Sequence, residues 1–215
     1  MQENKMTEAQ SLELITSMIN DSRSRLARNS GTPFLIWGYT TVVVSLLVYF
    51  LIAYKIQNVS SNEWYVPFWA WLIIPIVGWI GMLIFGKRKQ QGAKNLIDRV
   101  ISIIWTVLGI SFIWIMIAGV FYHAPILFFI ILLCGMGTTM TGYIIGNKAT
   151  KVCGITAMLS SLLFPINRWL MIRFVALSDN VARAEWLNTE TLLFAAIFLF
   201  MMVIPGHILN KKYNK

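Results

Sequence analysis

The residues of this chain that could do chemistry are few, and most stand in apolar surroundings. Arg168 is the most informative charge, because Pro165 and Asn167 precede it. A proline removes one backbone donor and frees a carbonyl, so Asn167 and Arg168 together mark a polar opening in an apolar stretch. Two readings follow. Either Arg168 snorkels to lipid headgroups from a kinked helix end, or it forms an outward-facing site for an anion or a headgroup. A second group is the hydroxyl series Thr138, Thr141, Ser160 and Ser161. Small and hydroxyl side chains let helix backbones approach and bond across the contact. The packing reading is the commoner one, and a hydroxyl-lined solute pathway is the sharper one.

The groups that catalysis or a metal would require do not assemble. His123 and His207 fall at opposite ends of apolar segments, nearly a bilayer apart, and cannot share a metal. Cys134 and Cys153 have neither CxxC nor CxxH spacing, so a disulfide or cysteine metal site is not expected. No serine has histidine and acid partners nearby. No glycine pattern matches a phosphate loop, and nothing matches a nucleic-acid module. The expectation is a protein that is not an enzyme and that has no cofactor, metal or nucleic-acid partner.

Composition says what must position these residues. Of 215 residues, 57% are hydrophobic and 13% charged, against about 25% charged in soluble domains. That excludes a water-soluble globule, which needs more charged surface, and it excludes disorder. The remaining class is all-α, a polytopic helical membrane protein. Crossing the hydrocarbon takes roughly 20 apolar residues. Six spans qualify, at 33–54, 66–86, 100–122, 125–146, 152–174 and 191–209, and no Asp or Glu falls within any of them.

Charge sets the expected orientation. Segments 1–32, 87–99, 147–151 and 210–215 hold fourteen of the 18 basic residues and five of the 9 acids. Lys and Arg concentrate on the cytoplasmic side, so both termini are expected there, and the whole net charge of +9 is accounted for on that face. Tyr49, Phe50, Tyr54, Trp64, Tyr65, Phe68, Trp69, Trp71, Phe121, Tyr122, Trp169 and Trp186 fit the outer aromatic belt.

Residues 1–30 are expected to form a separate cytoplasmic amphipathic helix, with 31–215 as the bundle. Thr7 and Gln10 make a capping-box signature, and Leu12, Ile15, Ile19, Ser22 and Leu26 recur on one face. Ser30-Gly31 is expected to break this helix, with Thr32-Pro33 capping the first span. The helix can lie on the inner membrane surface, or residues 7–29 can meet a protein partner or a second copy. In span four, Gly142 and Gly146 form a GxxxG pattern, and span five answers with Cys153, Ala157, Ser160 and Ser161. By depth, Thr138 and Ser160 are expected at one level. Residues 175–190 are expected to be an outer loop with a short interfacial helix over Val181–Leu187.

The stretch Ser22-Arg23-Ser24-Arg25, followed by Asn29-Ser30-Gly31-Thr32-Pro33-Phe34-Leu35-Ile36-Trp37-Gly38, resembles the start of small uncharacterised six-helix membrane proteins of Bacteroidetes. The resemblance covers the first quarter of the chain. It implies a bacterial inner membrane and brings no active site. The functional expectation is a regulatory, sensing or assembly partner in that membrane. The alternative is a small channel or transporter for a neutral or anionic solute, lined by spans four and five.

Overall fold

Thr7 opens the first helix as the capping box requires. Its backbone N–H donates to Gln10 Oε1 at 3.0 Å, and the Gln10 N–H donates to Thr7 Oγ1 at 3.4 Å. The computed structural model describes residues 7–58, 70–86, 96–122, 125–175 and 180–213. Every regular element among them is helical: α1 (Glu8–Asn58), α2 (Ile73–Gly86), α3 (Leu96–Tyr122), α4 (Ile126–Ile145), α5 (Lys148–Ser161), α6 (Leu163–Phe174), α7 (Asn180–Phe198) and α8 (Ile204–Tyr213). A π-helical turn, Leu199–Val203, joins α7 to α8. Five stretches are long and apolar enough to cross a membrane: Gly31–Gln57, Arg99–Gly119, Ile126–Ile145, Lys148–Phe174 and Val181–Lys212. Ala70–Ile84 is apolar but shorter. The start of the expected second span, at 66–69, lies outside the described residues, as do His123 and most of the 87–99 segment.

The first correction concerns α1. The expected break at Ser30-Gly31 is absent, and one 51-residue helix contains Pro33. Gly31 serves packing rather than termination. It is buried, and a Cβ there would come within 3.1 Å of the Gly206 carbonyl and would collide with Asn210. Proline costs a helix one donor and some straightness, and the contacts flanking Pro33 hold the helix together. Gly31, Phe34, Gly38, Thr41, Ser45 and Val48 are all buried, at alternating steps of three and four residues. That spacing keeps one seam facing a partner helix. The partner is the last helix, whose buried Ala184, Asn188, Thr191, Ala195, Phe198 and Met202 alternate in the same way. The two run antiparallel, with Gly38 against Met202 and Val203 and with Asn188 donating to the Tyr49 carbonyl.

The last helix is the second correction. Residues 180–190 are its first three turns, not an outer loop carrying a short helix. The helix enters the apolar region from Asn180, so Glu185 and Glu190 lie within the Val181–Lys212 stretch, where the expected spans hold no acid. The π-turn comes just before Pro205, which is fully buried. The Ile204 N–H bonds to the Leu199 carbonyl. Widening the helix there makes room for a ring that would otherwise press on the preceding turn.

α4 and α5 form a hairpin around a two-residue turn. Gly146 takes φ 77°, the left-handed region, and Asn147 caps α5 by accepting from the Thr150 N–H. The second glycine of the GxxxG pattern thus makes the turn, and a Cβ on it would touch nothing. The close contacts fall at Gly142 against Lys151, Thr139 against Gly154, and Gly135 against Met158. Each pair is equidistant from the turn. This register places Thr138 opposite Ile155 rather than level with Ser160, because the connection is two residues long and not five. The expected fifth span begins earlier, at Lys148, and is interrupted at Leu162, whose N–H bonds to the Leu159 carbonyl, one turn before Pro165.

The remaining helices sit around this centre. α3 lies antiparallel on α4, with Leu108 and Trp105 over Gly137. α2 rests on α1 through Gly78 against Trp37 and Gly81 against Ile36. The core is Phe34, Ile131, Cys134, Ala157, Phe164, Phe194, Ile197, Phe198, Met201 and Met202. Large rings point outward elsewhere, including Phe50, Tyr54, Phe121, Trp169 and Phe174. The antiparallel pairings put these five at one end of the bundle; of the expected belt, Trp71 instead packs on Phe194 and Trp186 turns inward.

Glycine substitutions should separate packing from propensity. Gly154→Leu drives a side chain into the Thr139 backbone, whose N lies only 2.6 Å from where a Cβ would stand, and should cost about 1–3 kcal/mol or more. Gly109→Ala meets nothing within 4 Å and should be neutral or stabilising by up to about 1 kcal/mol. Thermal unfolding of the purified protein in detergent measures both.

Candidate functional site

Asn167 sits on α6 two residues past Pro165, and α7 closes over it. The Asn167 Nδ2 donates to Glu190 Oε1 at 3.1 Å. The Trp186 indole N–H donates to Asn167 Oδ1 at 2.9 Å and to the Asn167 carbonyl at 3.2 Å. Trp186 and Glu190 are four apart and therefore share one helix face. Asn167 is thus held from both sides of its amide. Arg168, beside it, is exposed. The polar group extends one turn further, where Asn188 donates to the Tyr49 carbonyl and Thr191 donates to the Asn188 carbonyl at 2.7 Å.

The structure therefore brings Asn167 and Arg168 together with an acid that the sequence alone places outside the spans. The opening expected beside Pro165 is filled by Trp186 and Glu190. Chemically, the group joins α1, α6 and α7 at one end of the bundle through hydrogen bonds, with the exposed Arg168 beside it.

The hydroxyl series is distributed differently. Thr141 Oγ1 donates to the Gly137 carbonyl at 2.7 Å and accepts from the Trp105 indole at 3.2 Å. Ser160 donates to the Thr156 carbonyl at 2.8 Å, and Ser161 to the Met158 carbonyl at 2.7 Å. These three hydroxyls are turned back onto their own helices. Thr138 Oγ1 is buried with no hydrogen-bond partner in the structure, and so is Thr150 Oγ1. The series does not line up as a continuous file, since Ser161 and Thr138 are fully buried while Ser160 is only half-buried.

At the opposite end, α1 and α8 share a polar pair that the sequence does not announce. Tyr39 Oη lies 2.6 Å from His207 Nε2, with the two rings edge-on at 5.8 Å. The residues are 168 positions apart, so no local spacing signals the pair. The Glu190 contact has a readable signal in the Trp186–Glu190 spacing, available once 180–190 is taken as helix. Cys134 is buried and Cys153 half-buried, and both are free thiols. Among the described residues, no three His, Cys, Asp or Glu side chains come together as metal ligands. No known protein family, curated protein or solved structure matches the chain.

Asn167→Ala should leave the Glu190 carboxylate without its amide donor and the Trp186 N–H with only the backbone carbonyl at position 167. A loss of about 1–3 kcal/mol in unfolding free energy is expected. Arg168→Ala removes only an exposed charge and should cost about 1 kcal/mol or less. Equal effects from the two substitutions, measured by thermal or denaturant unfolding, would show that Asn167 is not the clamp.

Proposed function

We propose that the protein is a six-span membrane protein that presents a helical arm to a protein partner, acting as a regulatory or assembly subunit and not as an enzyme. The observation behind this reading is the unbroken α1. Residues 7–21 are exposed apart from a half-buried Ser11, and the first buried position described on α1 is Gly31. The stretch from Glu8 to Ser30 is about 34 Å of helix. Leu12, Leu14, Ile15, Met18 and Ile19 are all exposed on it. A helix continuous with a membrane span follows the axis of that span, so this apolar face is carried away from the bilayer surface instead of lying on it. The small residues of α4 and α5 are used within the chain, which leaves the arm as the surface for association.

Orientation in this reading follows the basic residues. Both termini face the cytoplasm, the short Ala70–Ile84 helix belongs to the second of the six spans, and the membrane is a bacterial inner membrane. Arg23, Arg25 and Arg28 precede the span in the sequence, while Glu8, Glu13 and Asp21 make the first part of the arm acidic. A channel or transporter lined by spans four and five is the second reading. The hydroxyls bonded back onto their own helices give it less support.

A photo-crosslinking residue placed at Leu12, Ile15 or Ile19 in cells should give one discrete heterologous adduct, lost on Ile15→Ser/Ile19→Ser substitution. Removing residues 7–29 should abolish the adduct partner's co-purification while the bundle still inserts. Crosslinks to lipid alone, or unchanged co-purification after the deletion, would overturn the reading.

A further inference from the structure

The Tyr39–His207 pair lies on the outside of the bundle, and its depth says what it meets. Tyr39 is 48% exposed, and His207 is exposed beside it. If the outer edge of the hydrocarbon falls near Tyr54–Lys55, the inner edge falls about 20 residues earlier on α1, near Leu35. Tyr39 is then about 6 Å inside that edge. Helical side chains lean toward the N-terminus of their own helix. Tyr39 therefore leans toward the inner edge, and His207, on the antiparallel α8, leans up to meet it. Their hydrogen bond sits at the boundary between hydrocarbon and headgroups.

Close packing builds the site and holds it open to the side. Gly31 lies against Asn210 and Gly206, Gly38 against Met202 and Val203, and Gly206 against Leu35. These contacts bring the α1 and α8 backbones together and leave the Tyr39 and His207 rings on the lateral rim. Lys211, one turn beyond His207 on the same face, is exposed. The local charge is of one sign. Residues 22–58 and 199–215 contain no Asp or Glu, while Lys211 and Lys212 follow His207 by four and five residues. When Tyr39 donates to His207 Nε2, the imidazole keeps an Nδ1–H donor, and an unpaired donor at the hydrocarbon edge is costly. An anion that reaches the exposed His207 from the side satisfies it.

We propose that this lateral notch, formed by Tyr39, His207 and Lys211, binds the phosphate of an anionic phospholipid. The tyrosine orients the imidazole, the imidazole N–H donates to a phosphate oxygen, and Lys211 supplies the charge. Charge-assisted hydrogen bonds of this kind are the strong ones. The lipid chains lie along the outer face of α1, where Val43 and Leu46 are exposed beyond Tyr39. The site is independent of the partner reading of the arm.

The test uses the full-length protein in detergent and follows bound lipid by native mass spectrometry. Phosphatidylglycerol, phosphatidylcholine and inorganic phosphate are offered separately. The wild type should retain phosphatidylglycerol over phosphatidylcholine. His207→Ala/Lys211→Ser should weaken that retention by about tenfold, as loss of a charge-assisted bond implies. Lys148→Ser, which removes an exposed charge on the same side, should leave retention unchanged. His207→Gln with Lys211→Ser repeats the measurement if the alanine variant unfolds. Equal retention by wild type and either double variant overturns the site, as does an equal loss in Lys148→Ser. Displacement of the lipid by inorganic phosphate at matched concentration overturns the lipid and leaves a soluble anion as the occupant.

Discussion

The close approach of helix backbones is the constraint on which the rest of this structure depends. Within a bilayer, apolar side chains gain little by leaving lipid for protein, so helices must associate through intimate van der Waals contact and interhelical hydrogen bonds. This chain meets that demand at two seams. On one, Gly135, Gly142 and Gly154 bring α4 and α5 together around a two-residue turn. On the other, Gly31, Gly38 and Gly206 bring α1 against the last helix. The large core side chains, Phe34, Phe194, Phe198 and Met201 among them, fill the space between the seams. α2 and α3 then attach by side chains laid over glycines, Trp37 over Gly78 and Ile36 over Gly81 for α2, and Leu108 and Trp105 over Gly137 for α3.

Polar chemistry is kept to the ends of this framework. Asn167, Trp186 and Glu190 lock α6 to α7 at one end, and Tyr39 and His207 lock α1 to α8 at the other. Between them, hydroxyls such as Thr141, Ser45 and Ser161 bond to carbonyls three or four residues back on their own helices. That arrangement satisfies a polar group in an apolar medium without requiring a neighbour. Among the described residues, the π-turn before Pro205 is where a central helix departs from regular geometry in its middle, and it faces Gly38 on the α1 seam.

Much of the architecture is legible because hydrophobic length is a strong signal. The span at 125–146 and the capping box at Thr7 follow from residue types alone, as do the outward Phe50, Tyr54, Phe121 and Trp169, whereas Trp71 packs on Phe194 and Trp186 turns inward to Asn167. The departures have specific physical causes. Gly31 and Pro33 carry the vocabulary of a helix boundary, yet the space between helices needs a glycine at Gly31, and tertiary contact decides its role. Glu190 looks like the edge of a span because an acid is costly in hydrocarbon, and its cost is offset by Asn167 from a different helix. The α4–α5 register shifts by the length of one turn, since Lys148 and Lys151 have the charge of a loop but form the first turn of α5. For Asn167 and Arg168, the sequence locates the polar opening but not the α7 residues that fill it. The Tyr39–His207 pair has no signal at all, because only the fold brings the two together.

The continuity of α1 through the membrane edge has a mechanical meaning. A helix is stiff over this distance, so the arm and its span rotate as one lever whose fulcrum is the glycine seam around Gly31. Spans tilt to match the thickness of the hydrocarbon around them. A change of tilt of about ten degrees displaces the tip of an arm of about 34 Å by about 6 Å. Whatever docks at Leu12 and Ile15 is therefore moved by the thickness of the bilayer, with no loop between the two to absorb the motion.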